Sequence, residues 1–161
     1  MNNTDCRPRG RLHLCVRAGG VLIAERRTRN IVLRQGASII ANLFAGQAGA
    51  FAINNVQVGF AQDGATAETT ALVPPDDTTI PASALISAIA PTDFSIVTDK
   101  PNSVQVLIAS VFRPTQELIN VTEAGLLAGD KLYNQVVFEP VTLRPGQDVT
   151  LFWEIDFPFG H

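Results

Sequence analysis

Asp148-Val149-Thr150-Leu151-Phe152-Trp153-Glu154-Ile155-Asp156-Phe157 alternates without a break. Val149, Leu151, Trp153, Ile155 and Phe157 share one side of an extended chain, while Thr150, Phe152, Glu154 and Asp156 share the other. Successive side chains of an extended backbone leave opposite faces, so this pattern specifies a half-buried β-strand. Trp153 falls on the apolar side and is expected in the core rather than on a sugar-stacking surface. Phe152 is the odd residue. An aromatic ring on an otherwise polar strand face is expected to be covered by a neighbouring chain.

Working outward, Arg144-Pro145-Gly146-Gln147-Asp148 reads as the turn before this strand, and Leu132–Phe138 as a strand before that. Ile119–Leu127 is extended and is expected to turn through Gly125, with Glu123 accepting backbone N–H bonds to fix that turn. Ser103–Phe112 is apolar on both faces over Leu107–Val111, so burial from two sides is expected, by its own domain and by a subunit. Leu85–Ile89, Asp93–Val97 and Ile53–Phe60 read as further strands. Residues 61–81 form a long loop of the kind that is functional or ordered by a partner.

The period changes between residues 30 and 46. Val32, Gly36, Ile39, Ile40, Leu43 and Phe44 recur at helical spacing, predicting an amphipathic helix packed on a sheet and ended by Gly46 and Gly49. Gly36 would let that helix approach the sheet closely. Earlier still, Leu12–Arg17, Ala18-Gly19-Gly20 and Val21–Arg26 read as a β-hairpin, after an irregular arm over residues 1–10. One helix against about eight strands predicts a mainly β chain, an antiparallel β-sandwich with one packed α-helix and an N-terminal β-hairpin. Residues 1–29 form the basic arm and hairpin and 30–161 the sandwich, in a single compact domain overall.

The chain has 161 residues, 46 % hydrophobic and only 17 % charged, enough to build a core without metal or staples. A surface so poor in charge is expected to be covered in part by other chains. No apolar run is long enough for a membrane helix, and the N-terminus does not read as a signal peptide. The net charge of -3 conceals an asymmetry. Residues 1–34 carry eight arginines (Arg7, Arg9, Arg11, Arg17, Arg26, Arg27, Arg29 and Arg34) against Asp5 and Glu25. With no stacking platform or recognition helix, the expected counterpart is an acidic protein surface rather than nucleic acid.

Catalytic patterns are missing. His13 and His161 do not stand as bases beside a nucleophile, and no phosphate loop or calcium loop is present around Asp76-Asp77 or elsewhere. Glu123, Glu139, Glu154 and Asp156 could serve as acid and base only if the fold paired them. Cys6 and Cys15, with so few histidines, do not match a zinc pattern. Free thiols, or a disulfide within or between chains, are both open to them. No catalytic residue, cofactor or metal is expected.

Three segments together resemble a family of bacteriophage structural proteins found in tails, baseplates, tail tips and fibre attachments. The first is Asn30-Ile31-Val32, then Gly36, then Ile39-Ile40-Ala41-Asn42-Leu43-Phe44-Ala45-Gly46. The second is Ile53-Asn54-Asn55-Val56-Gln57-Val58-Gly59 with a Thr/Ala stretch to Leu72. The third is Val121-Thr122-Glu123-Ala124-Gly125-Leu126, followed by Leu132–Phe138, Pro140-Val141-Thr142-Leu143 and the Trp153 strand. The resemblance implies a compact β-rich domain without catalysis, repeated about a symmetry axis in the virion after assembly in the host bacterial cytoplasm. Residues 1–29 depart from the family pattern.

The expected partners are copies of the chain, as a trimer or hexamer, and other virion proteins. Expected contacts are Arg7, Arg9, Arg11, Phe152, Phe157 and Phe159, with the 61–81 loop, and Cys6 and Cys15 as a candidate disulfide. Residues 1–11 and 157–161 are expected to be dispensable for folding. A head-decoration, neck or collar protein is the alternative within the same class, and a host-glycan-binding module the alternative from another.

Overall fold

The computed structural model describes residues 7–160. Among them are ten strands, one α-helix and two short 3-10 turns, all strand pairs being antiparallel. The strand that decides the fold, β10 (Gln147–Pro158), runs between β1 (Arg9–Ala18) and β6 (Ser103–Phe112). Leu12 lies opposite Trp153 and Leu14 opposite Leu151 on one side, and Ile108 lies opposite Trp153 on the other. All of these side chains are buried. Burying one such leucine or valine contributes about 2 kcal/mol, and the rows together form one wall of the core.

β1 turns back through Gly19-Gly20, both at positive φ, into β2 (Val21–Val32). Two glycines at positive φ match the twist of a tight hairpin. β2 is longer than the expected Val21–Arg26, and residues 29 and 30 are consecutive within it. The extension has a physical reason. After leaving β1, β2 pairs through Ile31 and Val32 with Gln135 and Asn134 of β9 (Asn134–Leu143), and so joins two layers. The second layer contains β9, β7 (Leu118–Ala128), β3 (Asn55–Gly59) and β4 (Ile86–Ala88), with β8 (Lys131–Leu132) beside β7. β5 (Phe94–Val97) edges the first layer next to β6.

The sandwich is therefore one continuous ten-stranded sheet curled over on itself. Val56, Val58, Val121, Leu126 and Val136 of the second layer meet Leu14, Leu151 and Trp153 of the first in a common core. Beyond Ile31, β2 and β9 diverge, and side chains bridge the seam. Thr28 donates to the Val137 carbonyl at 3.2 Å, and Arg26 donates to the carbonyls of Glu139 and Pro140 at 2.9 and 2.7 Å. At the other end, Ser87 of β4 donates to the Val111 carbonyl of β6 at 3.3 Å, bringing the curl almost round.

The helix α1 (Arg34–Phe44) lies where the spacing predicts and stops at Gly46, whose φ is +62°. A Cβ on Gly36 would stand 2.0 Å from the Tyr133 carbonyl oxygen, so only glycine allows this approach. Only Gly36 and Ile39 of α1 are buried; Ile40, Leu43 and Phe44 remain exposed, Phe44 by 94 %. The expected apolar stripe is wider than its support, since α1 rests on the short β8 hairpin rather than on a broad sheet face.

Two other expectations are corrected. Gly125 sits inside β7, not at a turn, because its missing Cβ leaves room for Leu132 Cδ1 and the Asn134 carbonyl oxygen, which would lie at 2.5 and 2.6 Å. On the outer face of β6, Gln105 is buried and Leu107 half-buried, while Ala109 and Val111 stand exposed. Residues 9–11 pair with β10, Gly10 and Arg11 pair with β2 as well, and Phe157 packs against the core. Truncation through residue 11 or from residue 157 therefore cuts into the sheet.

Candidate functional site

The outer face of the first layer gathers most of the residues singled out from the sequence. Register fixes its rows. Glu154 on β10 faces Arg11 on β1, which faces Arg29 on β2; Phe152 faces His13, which faces Arg27; Thr150 faces Cys15, which faces Glu25. The alternation that buries Leu12, Leu14 and Val16 necessarily sends Arg11, His13, Cys15 and Arg17 outward. A basic stripe along β1 and β2 thus lies beside an acidic one, Asp148, Glu154 and Asp156, on β10.

Ion pairs and hydrogen bonds join the stripes. Arg11 meets Glu154 at 3.2 Å, and Gln105 of β6 donates to Glu154 and Asp156 at 2.6 and 3.0 Å. Lys100 approaches Asp156 at 3.9 Å. Arg11 and Lys100 reach these carboxylates from solvent, so the two ion pairs contribute little to stability, whereas Gln105 is buried beneath them. Phe152 sits among them, 37 % exposed, with Ala109 beside it on β6. Arg7 is exposed, Phe159 is exposed, and Phe157 is half-buried. Cys6 and His161 lie outside the described residues, and with them the candidate disulfide.

His13, Cys15 and Glu25 converge on this face. His13 Nε2 lies 3.2 Å from Cys15 Sγ and contacts Glu25 Oε1, while Arg27 donates to the same oxygen from Nε and Nη2 at 3.1 and 2.9 Å. Arg27 and then His13 hold the Glu25 carboxyl below its ordinary pKa. The sequence reading missed this cluster because Glu25 lies ten residues beyond Cys15; only the hairpin register makes them neighbours.

The carboxylates considered as an acid–base pair are dispersed. Glu154 and Asp156 share Gln105 on the outer face, whereas Glu123 is fully buried. Glu123 accepts the Val73 N–H at Oε1 and the Gln135 amide at Oε2, both at 2.6 Å. It does bind a backbone N–H as expected, but that of the 61–81 segment rather than of its own strand. That segment is further held by Phe60 N–H to the Val73 carbonyl and by Arg34 N–H to the Ala67 carbonyl, so its own chain orders it.

Glu139 lines a cleft of about 780 Å³ with Asp76, Asp77 and Glu117, between the 61–81 segment and β7 and β9. Hydrogen bonds from the Thr79 hydroxyl and N–H lower the pKa of Asp77, and Arg144 pairs with Glu117 at 2.9 Å. The cleft gives the chain a surface opposite in sign to the arginine stripe.

Exposed apolar groups include Ile119 in the cleft and two sets elsewhere. Val21, Leu22 and Ile23 at the hairpin tip are 66, 44 and 51 % exposed, and Phe44 and Phe51 stand out near the end of α1. No described helix is long and apolar enough to cross a membrane. Trp153 is fully buried and so presents no ring face to a sugar. No family model matches the chain, and neither curated proteins nor solved structures show a significant similarity to it.

Proposed function

We propose that this chain is a non-enzymatic structural subunit of a bacteriophage virion, in the tail, baseplate or fibre-attachment region, acting by symmetric assembly with copies of itself and other virion proteins. The observation that carries the assembly part is the hairpin tip. Val21, Leu22 and Ile23 are three consecutive exposed apolar side chains on a chain whose core is complete without them. Exposed apolar surface of this kind marks a place where another chain docks. Phe152 adds a second contact point on the same layer.

Charge supports the same reading. Arg11, Arg27 and Arg29 on one face and Asp76, Asp77, Glu117 and Glu139 in the cleft suit a heterologous contact, basic surface of one copy to acidic surface of the next. Such contacts close into rings when the rotation permits. The virion assignment itself rests on the resemblance of the three segments in residues 30–157 to phage tail proteins. Assembly would take place in the host bacterial cytoplasm.

The test is the native mass of the full chain beside a Val21→Ser/Leu22→Ser/Ile23→Ser variant. A trimer or hexamer is expected for the parent, and a monomer with an unchanged thermal midpoint for the variant. A parent that stays monomeric at high concentration overturns self-assembly. Antibody labelling of purified particles is expected to mark the tail; particles that lack the chain altogether overturn the virion assignment.

A further inference from the structure

The cluster on the hairpin has a chemistry that the assembly reading does not use and on which that reading does not depend. His13 and Cys15 are two apart on β1, so both leave its outer face, and Glu25 is the register partner of Cys15 on β2. One donor atom from each, a nitrogen, a sulfur and an oxygen, lies within 4.8 Å of the other two. A tetrahedral zinc ion, with Zn–N near 2.0 Å and Zn–S near 2.3 Å, holds such ligands roughly 3.5 Å apart. His13 Nε2 and Cys15 Sγ, at 3.2 Å, need to separate only slightly to admit one.

Which nitrogen makes the contacts decides between two chemistries. A nucleophile–base–acid relay uses opposite nitrogens of the imidazole, one for the nucleophile and one for the orienting carboxylate. Here Nε2 faces both Cys15 Sγ and Glu25 Oε1. The arrangement is therefore not a relay through the ring: the three donor atoms lie together on one side of it.

We propose that His13, Cys15 and Glu25 bind a divalent cation of borderline softness, of which zinc is the type, with a water in the fourth position. The sulfur ligand selects against magnesium and calcium, which take oxygen. On binding, the Cys15 S–H bond breaks, a sulfur–metal bond forms and the proton passes to solvent, with no electron transferred. The thiolate and carboxylate together neutralise the charge of the ion, and imidazole adds none. Arg27, which holds Glu25 Oε1 from Nε and Nη2, has to yield that oxygen to the metal.

The experiment titrates the full chain, reduced by a phosphine and stripped of metal, with cobalt(II) in a non-chelating buffer. A one-to-one complex is expected, with a thiolate-to-cobalt charge-transfer band in the near ultraviolet and the intense visible bands of four-coordination. Zinc(II) is expected to displace the cobalt. Cys15→Ser should remove the near-ultraviolet band, His13→Gln should weaken cobalt binding by roughly tenfold or more, and Cys6→Ser should change neither. Trp153 fluorescence reports that each variant remains folded. The proposal is overturned if the parent shows no thiolate band at stoichiometric cobalt, if Cys15→Ser retains the band, if Cys6→Ser removes it, or if His13→Gln binds as the parent does.

Discussion

Tyr133 shows how one side chain can serve packing at the expense of its polar atom. Its carbonyl receives the Leu33 N–H at 3.1 Å beside Gly36, while its hydroxyl is buried with no hydrogen-bond partner among the described residues. Leaving such a group unpaired costs about 1 kcal/mol or more, so Tyr133→Phe is expected to raise stability by about 1 kcal/mol in urea unfolding. Burial also pushes the Tyr133 pKa up to about 12. The unfolded chain releases this proton near pH 10 and the folded chain later, so parent stability falls as pH rises from about 10 to 12. Tyr133→Phe should flatten that fall, and equal slopes for the two proteins would contradict the assignment. Nothing in Leu132-Tyr133-Asn134 reveals an unpaired hydroxyl, since a buried tyrosine usually finds a partner. Gly36 was readable, because a glycine amid helical periodicity has few uses other than close approach.

Among the elements, the 61–81 segment departs most from its sequence. Its composition reads as a loop awaiting a partner, yet Glu123 of β7 and the backbone of Phe60 and Arg34 hold it down. Glu123→Ala would leave the Val73 N–H and the Gln135 amide without acceptors in a buried site. A loss of about 3 kcal/mol is expected, with proteolytic cleavage appearing first between residues 61 and 81. Cleavage that begins elsewhere would show that the segment is anchored by other means. β10 was legible because strict alternation marks its buried face. The far half of β2 was not. Residues 25–30 are Glu25, Arg26, Arg27, Thr28, Arg29 and Asn30, and an alternation of polar with polar conceals which face is inside. The pairing of Thr28 and Arg26 with Leu12 and Leu14, and their contacts with β9, disclose it.

For the molecule as a whole, those two side chains matter because the layers join by backbone pairing only near Ile31 and Val32. Arg26 spans the widening gap by giving one guanidinium to two carbonyls, a geometry that an ammonium does not reproduce. Arg26→Met is expected to lower stability by about 1–2 kcal/mol in urea unfolding, with Arg26→Lys failing to restore it. Full recovery with lysine would mean that charge alone matters there. The joining of the layers lay beyond reach of the sequence, because periodicity reports which face a strand buries and not which strand it borders. The pairing of β1 with β10 has a consequence for how the chain comes into being. Arg9 lies opposite Asp156, so the first of the described strands to leave the ribosome has the last of them for its neighbour. Leu12, Leu14 and Val16 stay without their β10 partners until residues 149–153 have been made, and the nascent hairpin depends on escorts or on speed over that interval.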